Sequence, residues 1–575
     1  MPQFNSTVNA QTSCNTLYGL ASRPTRILSR LPDSQGAVLA IRPTWVIIKL
    51  MSTSTIYLET IPGPFESHLI SASSLRISLP GHPRKFFRHG WQSSTLTTWL
   101  DPSTPHLPVR APDFRLKDED PAYAFHRNHM SIWVSAVELG ENDILLLAAL
   151  DLSGRVELDG YTLKGFYEDE HVGEWLIARG REEEVFAKYA GLLEMKFGKT
   201  RFDTPPRVWC SWYSLFKWIN EPVLSKVLHG LGDLPFDVFQ IDDGWQDKSG
   251  YWEASKNFPS GMAAFADAIK DSGRTAGIWL APFIVSPKEK VYHDHPEWLL
   301  RDEHGNPVNT GIHWADITYA LDTTHPEVLN WLEKLIRKVV GWGYNYLKLD
   351  FLHAGAAVGK RYKDIPREDA YREALQIIRH AAADAYILVC NAPILPSLGL
   401  CDGMRIGPDV SPFWLNRALT VWLNNPNENS TQNALRTSLH RLWLKPLVSI
   451  DPDVVYFSSK YNALKPYEKQ LLQDLGTITG FKASSDLPQW LNAKERKALR
   501  EFLKSSPAVQ KIDRYTFTID HRAVDFSPAI PIESSDKNIP IWLAKNLGVL
   551  KIILHQVLPA ILESRVSSRS TNEKR

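Results

Sequence analysis

The chain has 575 residues, 43% of them apolar and 22% charged, with a formal net charge of +1. That length calls for two or three domains. Near-neutrality excludes the basic footprint of a nucleic-acid binder and a field for an anionic membrane surface, and it means that substrate is not selected by gross charge.

Residues 1–51 read as a poorly structured leader. Met1 is followed by polar Asn, Ser, Thr and Gln rather than by a basic start and an apolar run, so no secretory signal is expected. The run Trp45–Leu50 is too brief to span a membrane and contains Lys49. Met51 is a candidate for the natural start. Residues 52–200 have the texture of antiparallel β-structure, with the short runs Thr55–Thr60 and Ile144–Leu150 broken by Pro and Gly turns and an alternating Leu75–Leu79. A β-sandwich is the natural reading. Within it the HGWQSS stretch, His89–Ser94, places Trp91 between turn-forming residues, which taken alone marks a structural position.

Residues 201–490 change to a strand, loop, helix pattern. Val208–Leu215, Val238–Gly244, Ala276–Phe283, Tyr346–Leu352, Tyr386–Ala392 and Gly403–Asp409 read as short, apolar, buried parallel strands. Helical patterns lie between them at Pro222–Leu234, Met262–Ser272, Pro326–Val340 and Arg367–Ala383, the last with Asp364 upstream as a cap. Two further units near Thr431–Trp443 and Tyr467–Leu475 bring the strand count close to eight. The pattern predicts an α/β fold, a (β/α)8 TIM barrel preceded by an N-terminal β-sandwich domain. An open doubly wound sheet competes, but no G-x-G-x-x-G follows the first strand, so dinucleotide binding has little support. Residues 491–575 form an atypical C-terminal tail, a helix with a partial or degenerate β-domain. Ile541–Leu562 is apolar apart from Lys545, Asn546, Lys551, His555 and Gln556, and its charges argue against a membrane span.

Chemistry in such a barrel sits at the carboxyl ends of the strands. On the fourth strand, Leu347, Leu349 and Phe351 share one face while Lys348 and Asp350 share the other, a cation and a carboxylate projecting together from an apolar strand. An unpaired buried ion is costly, so this is either a salt-bridged piece of core or the floor of a site. Other strand ends carry Trp212, Tyr213, Asp242, Asp243, Trp279, Cys390, Arg405 and Asp409. An Asp at a strand end is often only a helix cap, but the convergence of carboxylates, cations and indoles suits a neutral polyhydroxylated ligand. The chain's 20 tryptophans fit that reading, although most serve as core. Cys14, Cys210, Cys390 and Cys401 form no C-x-x-C pair and no zinc spacing, which fits free thiols in a reducing, cytoplasmic compartment.

These residues carry a resemblance. WCSWY at Trp209–Tyr213, QIDDGW at Gln240–Trp245, GIWLAPF at Gly277–Phe283, LKLDFL at Leu347–Leu352 and MRIGPD at Met404–Asp409 are similar, in order, to motifs of the α-galactosidases (melibiases) of glycoside hydrolase family 36. The resemblance runs from about Lys85 to about Trp490. It implies retaining hydrolysis of terminal α-galactosides without cofactor or metal, with Asp350 as nucleophile and Asp409 as acid/base. Asp242 and Asp243 would bind the C4 and C6 hydroxyls, Lys348 O3 or O4, and Arg405 O2. Trp212, Tyr213, Trp279 and Cys390 would line the sugar site, with Trp91 contributed by the sandwich. The chain departs from the family where Ser94 is followed by Thr95 instead of a further Trp and Ser, and in its tail from about Lys511.

Alternatives remain within and beyond this reading. A galactosyl ester can be intercepted by a sugar hydroxyl, as in raffinose-type synthases, and an α-N-acetylgalactosaminide is a neighbouring substrate. A metal-dependent barrel hydrolase is suggested by His293, Asp294 and His295, and an inactive sugar-binding protein by the unusual chain ends. Expected partners are α-galactosides, without nucleic acid or membrane; the oligomeric state, homo-oligomer included, is left open.

Overall fold

The computed structural model describes residues 48–49, 55–110, 119–313, 316–532 and 540–572. Most of the expected leader lies outside them; Ile48–Lys49 pairs in parallel with Ser67–Ala72. The N-terminal region folds as two facing sheets. One has seven strands, in the order Ile48–Lys49, Ser67–Ala72, Gly173–Gly180, Asp143–Ala149, Val134–Gly140, Lys85–Arg88 and Thr98–Leu100. The other has five: Thr55–Leu58, Ser74–Ser78, Thr162–Tyr167, Gly154–Asp159 and Met130–Ile132. Strand periodicity divides the work of the central strand. Leu145, Leu147 and Ala149 face the sandwich core with Ile77 and Trp175, whereas Ile144, Leu146 and Ala148 join the large core shared with the barrel. That second covered face is why Ile144–Leu150 reads as a continuous apolar run.

A nine-segment parallel sheet follows, beginning at Val208–Cys210 and continuing through Val238–Ile241, Thr275–Leu280, Tyr346–Leu349, Tyr386–Val389, Gly403–Arg405 and Ser449–Asp451. Its remaining segments, Val454–Val455 and Ala483–Ser484, close the ring, because Val454–Val455 pairs with Ala483–Ser484 and that strand pairs with Val208–Cys210. Only Pro452 and Asp453 separate Ser449–Asp451 from Val454–Val455. The two are halves of one seventh strand, and the sheet is an eight-stranded barrel rather than an open doubly wound sheet. Helices cover it by amphipathic packing: Pro326–Gly341 buries Val328, Leu332, Leu335, Ile336 and Val339 along one stripe. Asn220 caps Glu221–Leu231 by accepting from the Val223 N–H at 3.0 Å. Pro366 occupies the cap position of Arg367–Ala382, not Asp364.

Several strands end earlier than the apolar runs suggest. The first stops at Cys210, and Trp212 and Tyr213 sit on a short helix, Trp212–Leu215. The fourth stops at Leu349, after which Phe351 adopts φ 50° and leaves the face it would share with Leu349. The tail contains a three-stranded antiparallel sheet, Val509–Lys511, Thr516–Ile519 and Arg522–Asp525. A helical segment follows, Ile541–Ile552, a π-helical turn at Ile553–Val557, and Leu558–Asn572. Among the described residues it alone, over Ile541–Arg565, is long and apolar enough to cross a membrane by length and composition. It lies against the loop after the sixth strand. Asn416 Nδ2 donates to the Gly548 carbonyl at 3.0 Å and Lys551 Nζ to the Leu415 carbonyl at 2.9 Å.

Candidate active site

The carboxyl ends of the barrel strands surround a cavity of about 230 Å³. Its walls include Trp212, Tyr213, Asp242, Asp243, Trp279, Lys348, Asp350 and Asp409. This is below the roughly 300–1,000 Å³ usual for drug-sized ligands and suits a single small polar ring.

The floor is built from fixed charges. Lys348 Nζ lies 2.7 Å from Asp242 Oδ2, and both side chains are buried. Asp242 also accepts from Gln240 Nε2 at 2.6 Å, Cys210 Sγ at 3.4 Å and the Asp243 N–H at 2.9 Å. Asp242 therefore acts first as the anchor of Lys348. Asp243 accepts from Gln246 Nε2 at 2.6 Å, and His313 Nε2 stands 3.1 Å from its Oδ2. The chain turns sharply after this pair at Gly244, φ 115°, where a Cβ would stand 2.7 Å from the Lys217 carbonyl oxygen. Only glycine fits there, and the turn lets both adjacent aspartates reach the cavity.

Asp350 is held from three sides. Its own N–H donates to Leu280 O at 2.8 Å, continuing the ladder one residue beyond the strand. Its carboxylate accepts from the Phe351 N–H at 2.7 Å, Asn391 Nδ2 at 2.8 Å and Trp279 Nε1 at 3.2 Å. Burial pushes this carboxyl up, but the Lys348 ammonium and those three donors outweigh it and hold it below the usual carboxylate range. Asp350 is thus kept as an anion with an oxygen available to the cavity. For Lys348 the same balance runs the other way: burial opposes its charge and Asp242 restores it, leaving a permanent cation.

Asp409 stands at the mouth, its side chain 37% exposed. It accepts from Arg405 Nη1 at 3.1 Å and lies 2.9 Å from the Tyr213 hydroxyl. Behind it Arg405 is buried, with Nε 2.9 Å from Asp451 and Nη2 2.9 Å from Asp453.

Three expected sugar contacts are placed elsewhere. Arg405 lies behind Asp409 and outside the cavity wall, because Asp451 and Asp453 draw its guanidinium inward. Cys390 is buried beneath the floor; the strand ends at Val389, and Asn391, with φ 45°, turns toward Asp350 in its place. Trp91 is fully buried under the Arg367 guanidinium, 5.3 Å from its ring. The sandwich still reaches the site through neighbouring residues. Ser94 Oγ donates to Asn391 Oδ1 at 2.8 Å, and Asn391 Nδ2 passes that orientation to Asp350. Arg441 clamps the same loop by donating to the Gly90, Gln92, Ser93 and Thr95 carbonyls.

Sequence reasoning missed Asn391, His313, Asp451 and Asp453. His313 comes from the hairpin Asn309–His313 and Asp316–Ala320 inserted after the third strand, which carries no motif. The pair Asp451 and Asp453 flanks Pro452 in a stretch that reads as a loop. From the tail helix, Ile552 and Gln556 complete the wall near Asp409. The H-x-H cluster lies outside the cavity. His293 Nε2 is 2.7 Å from the Pro287 carbonyl, and His295 stacks on Trp298 at 3.9 Å. His295, Glu297 and Glu327 come close enough together to hold an ion, but none of them lines the cavity, so a metal-assisted reaction there has no support from them.

An anionic carboxylate on a cationic floor, facing a second carboxyl at the mouth of a barrel, is the arrangement of a glycoside hydrolase. Known proteins agree. The melibiase family model matches residues 180–382. The structure of TtGalA, an α-galactosidase from Thermus thermophilus in complex with p-nitrophenyl α-D-galactopyranoside, is 42% identical with a TM-score of 0.77, covering 82% of this chain and 96% of that one. The GH36 α-galactosidase AgaA from Geobacillus stearothermophilus shares the fold at 13% identity and TM-score 0.53, over 74% of this chain and 61% of that one. The α-galactosidase Mel36A of Lactobacillus acidophilus is 27% identical over 149 residues, 24% of this chain and 20% of that protein. The first curated relatives are matched over only 14% to 24% of their own length. The chain belongs to the α-galactosidases of glycoside hydrolase family 36.

Proposed function

We propose that the protein is a retaining exo-glycosidase that hydrolyses terminal α-galactosyl residues from small α-galactosides by double displacement. The observation that carries this is Asp350, a partly buried carboxylate kept ionised by Lys348, Asn391 and Trp279 at the floor of a one-sugar cavity. Cleavage passes through an oxocarbenium-like state that needs a carboxylate beneath the anomeric carbon and a proton at the leaving oxygen. Asp350 attacks and forms a galactosyl ester while Asp409 gives its proton to the departing oxygen. With the Asp350 charge consumed, Asp409 takes a proton from water, whose oxygen opens the ester. Lys348, Asp242 and Asp243 hold the ring hydroxyls, and Trp212, Tyr213 and Trp279 frame the ring. The solved complexes of TtGalA with p-nitrophenyl α-D-galactopyranoside and with stachyose support this substrate class. Cys210, Cys390 and Cys401, all buried and free, support a reducing, cytoplasmic setting.

Purified protein assayed on p-nitrophenyl α-galactoside, α-glucoside and α-N-acetylgalactosaminide tests the reading. The α-galactoside should be turned over preferentially; preference for either competitor overturns the sugar assignment. The last arm matters because one relative, 27% identical over 153 residues, is named as an A type blood α-D-galactosamine galactosaminidase. Adding melibiose as acceptor at high concentration separates hydrolysis from transfer.

Asp243 offers a sharper test of sugar recognition. Asp243→Ala removes a buried acceptor for a substrate hydroxyl and leaves His313 and Gln246 without their partner. It should lower kcat/KM by about 100-fold or more on any α-galactoside. Near-normal kcat/KM with an unchanged circular dichroism spectrum would remove Asp243 from the site.

A further inference from the structure

The seventh barrel strand breaks at Asp453, whose φ of 84° lies in the left-handed region that non-glycine residues seldom occupy. Four donors converge on its fully buried carboxylate. Oδ1 accepts from Arg405 Nη2 at 2.9 Å and the Val454 N–H at 2.7 Å. Oδ2 accepts from the Val410 N–H at 2.9 Å and lies in hydrogen-bond contact with the Tyr213 hydroxyl. Val410 directly follows Asp409, so the backbone at the mouth is tied to Asp453. Asp453 itself is outside the cavity wall and cannot touch a sugar.

The Tyr213 hydroxyl lies between two carboxyl groups, Asp453 on one side and Asp409 Oδ1 at 2.9 Å on the other. It also accepts from Arg405 Nη1 at 3.2 Å. A phenol has one proton to donate and two lone pairs. It can donate to only one carboxylate; its contact with the other is a hydrogen bond only if that carboxyl brings its own proton. The chain Asp409, Tyr213, Asp453 therefore closes with one carboxyl proton and fails to close with none.

We propose that Asp453 is a positioning residue for the acid/base step, holding jointly with Asp409, through Tyr213, the single proton that the leaving group receives. This rests on the assignment of Asp409 as acid/base. Before cleavage the two carboxyls carry one proton and one negative charge. As the glycosidic C–O bond breaks, that proton passes from Asp409 to the leaving oxygen, and the pair faces Arg405 with two negative charges. In the second step Asp409 takes a proton from water while the water oxygen bonds to the anomeric carbon. The electron pair of the ester bond returns to Asp350, and the carboxyl pair regains its single charge.

The surroundings favour retention of that proton near neutral pH. Burial pushes Asp453 up to about 7 against the pull of Arg405, with Asp409 and Asp451 adding to the rise. Cys210, on the first strand, and Tyr456, just past the seventh, also face this charge, and burial pushes both of them up first, with Asp453 adding to it. Neither competes for the proton.

The test compares Asp453→Asn and Tyr213→Phe with wild type, using methyl α-galactoside, whose leaving group needs a proton, and 2,4-dinitrophenyl α-galactoside, whose leaving group does not. Asparagine removes a negative charge beside the proton and leaves Arg405 in place, so the proton departs more readily. The alkaline limb of kcat/KM should move to lower pH by about one unit. At pH 7.5, for example, the loss on the methyl glycoside should exceed that on the activated aryl glycoside by about tenfold. An unmoved limb with equal losses on both substrates would make Asp453 merely structural and overturn the proposal. Should Asp453→Asn fold poorly, Tyr213→Phe decides alone, because it leaves Asp453 bonded to Val410, Val454 and Arg405. Asp409→Ala is the control for the underlying assignment. If that variant keeps the wild-type alkaline limb, Asp409 is not the acid and both readings fall; if it loses the limb while Asp453→Asn and Tyr213→Phe keep it, the role of Asp453 alone is overturned.

Discussion

Asp350→Gly should lose roughly 10,000-fold or more of kcat on any α-galactoside, the scale on which removing a covalent nucleophile is felt. The fold should survive, because the deletion takes away a carboxylate that costs desolvation and leaves Lys348 paired with Asp242. Its three donors would be left facing the cavity, where water or a small anion can satisfy them. Circular dichroism and the thermal midpoint measured beside kcat separate the two effects. Activity within tenfold of wild type would mean that another group attacks the anomeric carbon.

Lys348→Met should be damaging in two separable ways. Removing the ammonium leaves the Asp242 carboxylate buried without its counter-ion, and breaking a buried pair from one side costs about 3–5 kcal/mol. The unfolding midpoint should therefore fall, with Asp242→Asn/Lys348→Met recovering part of the loss. The second effect is on pH. Lys348 is the strongest of the influences that lower the Asp350 carboxyl against its burial. A depressed nucleophile is ionised above its folded pKa, and activity is lost as pH falls through it. In wild type the acid limb of kcat/KM should thus lie below the ordinary carboxylate value of about 3.9; in Lys348→Met it should move to higher pH. A variant with reduced kcat/KM but an unmoved acid limb would show that Lys348 binds sugar without holding Asp350 ionised.

What the sequence revealed follows from how each feature is encoded. Barrel strands buried on both faces are continuous apolar runs, so their presence and order are legible from Val208 to Gly403. Their ends are not. The WCSWY stretch stays apolar through Leu215, yet the chain leaves the sheet at Cys210, because Trp212 and Tyr213 are aimed at a cavity that local composition does not reveal. The seventh strand is hidden by Pro452 and by the left-handed Asp453, so its two charged residues read as loop although they seat Arg405. Trp91 taken alone reads as structural and only the family resemblance puts it at the sugar; its ring packs under the Arg367 guanidinium, and the small Ser94 makes the connection to Asn391. The tail reads only as a helix with a partial or degenerate β-domain, and its individual strands are not legible because Val509–Lys511 is wholly exposed and carries no alternation of burial.

The central claim is that Asp350 and Asp409 act by double displacement, and product stereochemistry tests it most directly. Asp350→Gly and Asp409→Gly are each given an activated aryl α-galactoside with azide, and the anomer formed is read by proton NMR. In Asp350→Gly, azide enters from below in one displacement, so β-galactosyl azide is predicted. In Asp409→Gly, Asp350 still forms the galactosyl ester and azide opens it in a second displacement, giving α-galactosyl azide. The reverse pairing of anomers would exchange the two roles, and β-azide from both variants would contradict a covalent intermediate on this protein.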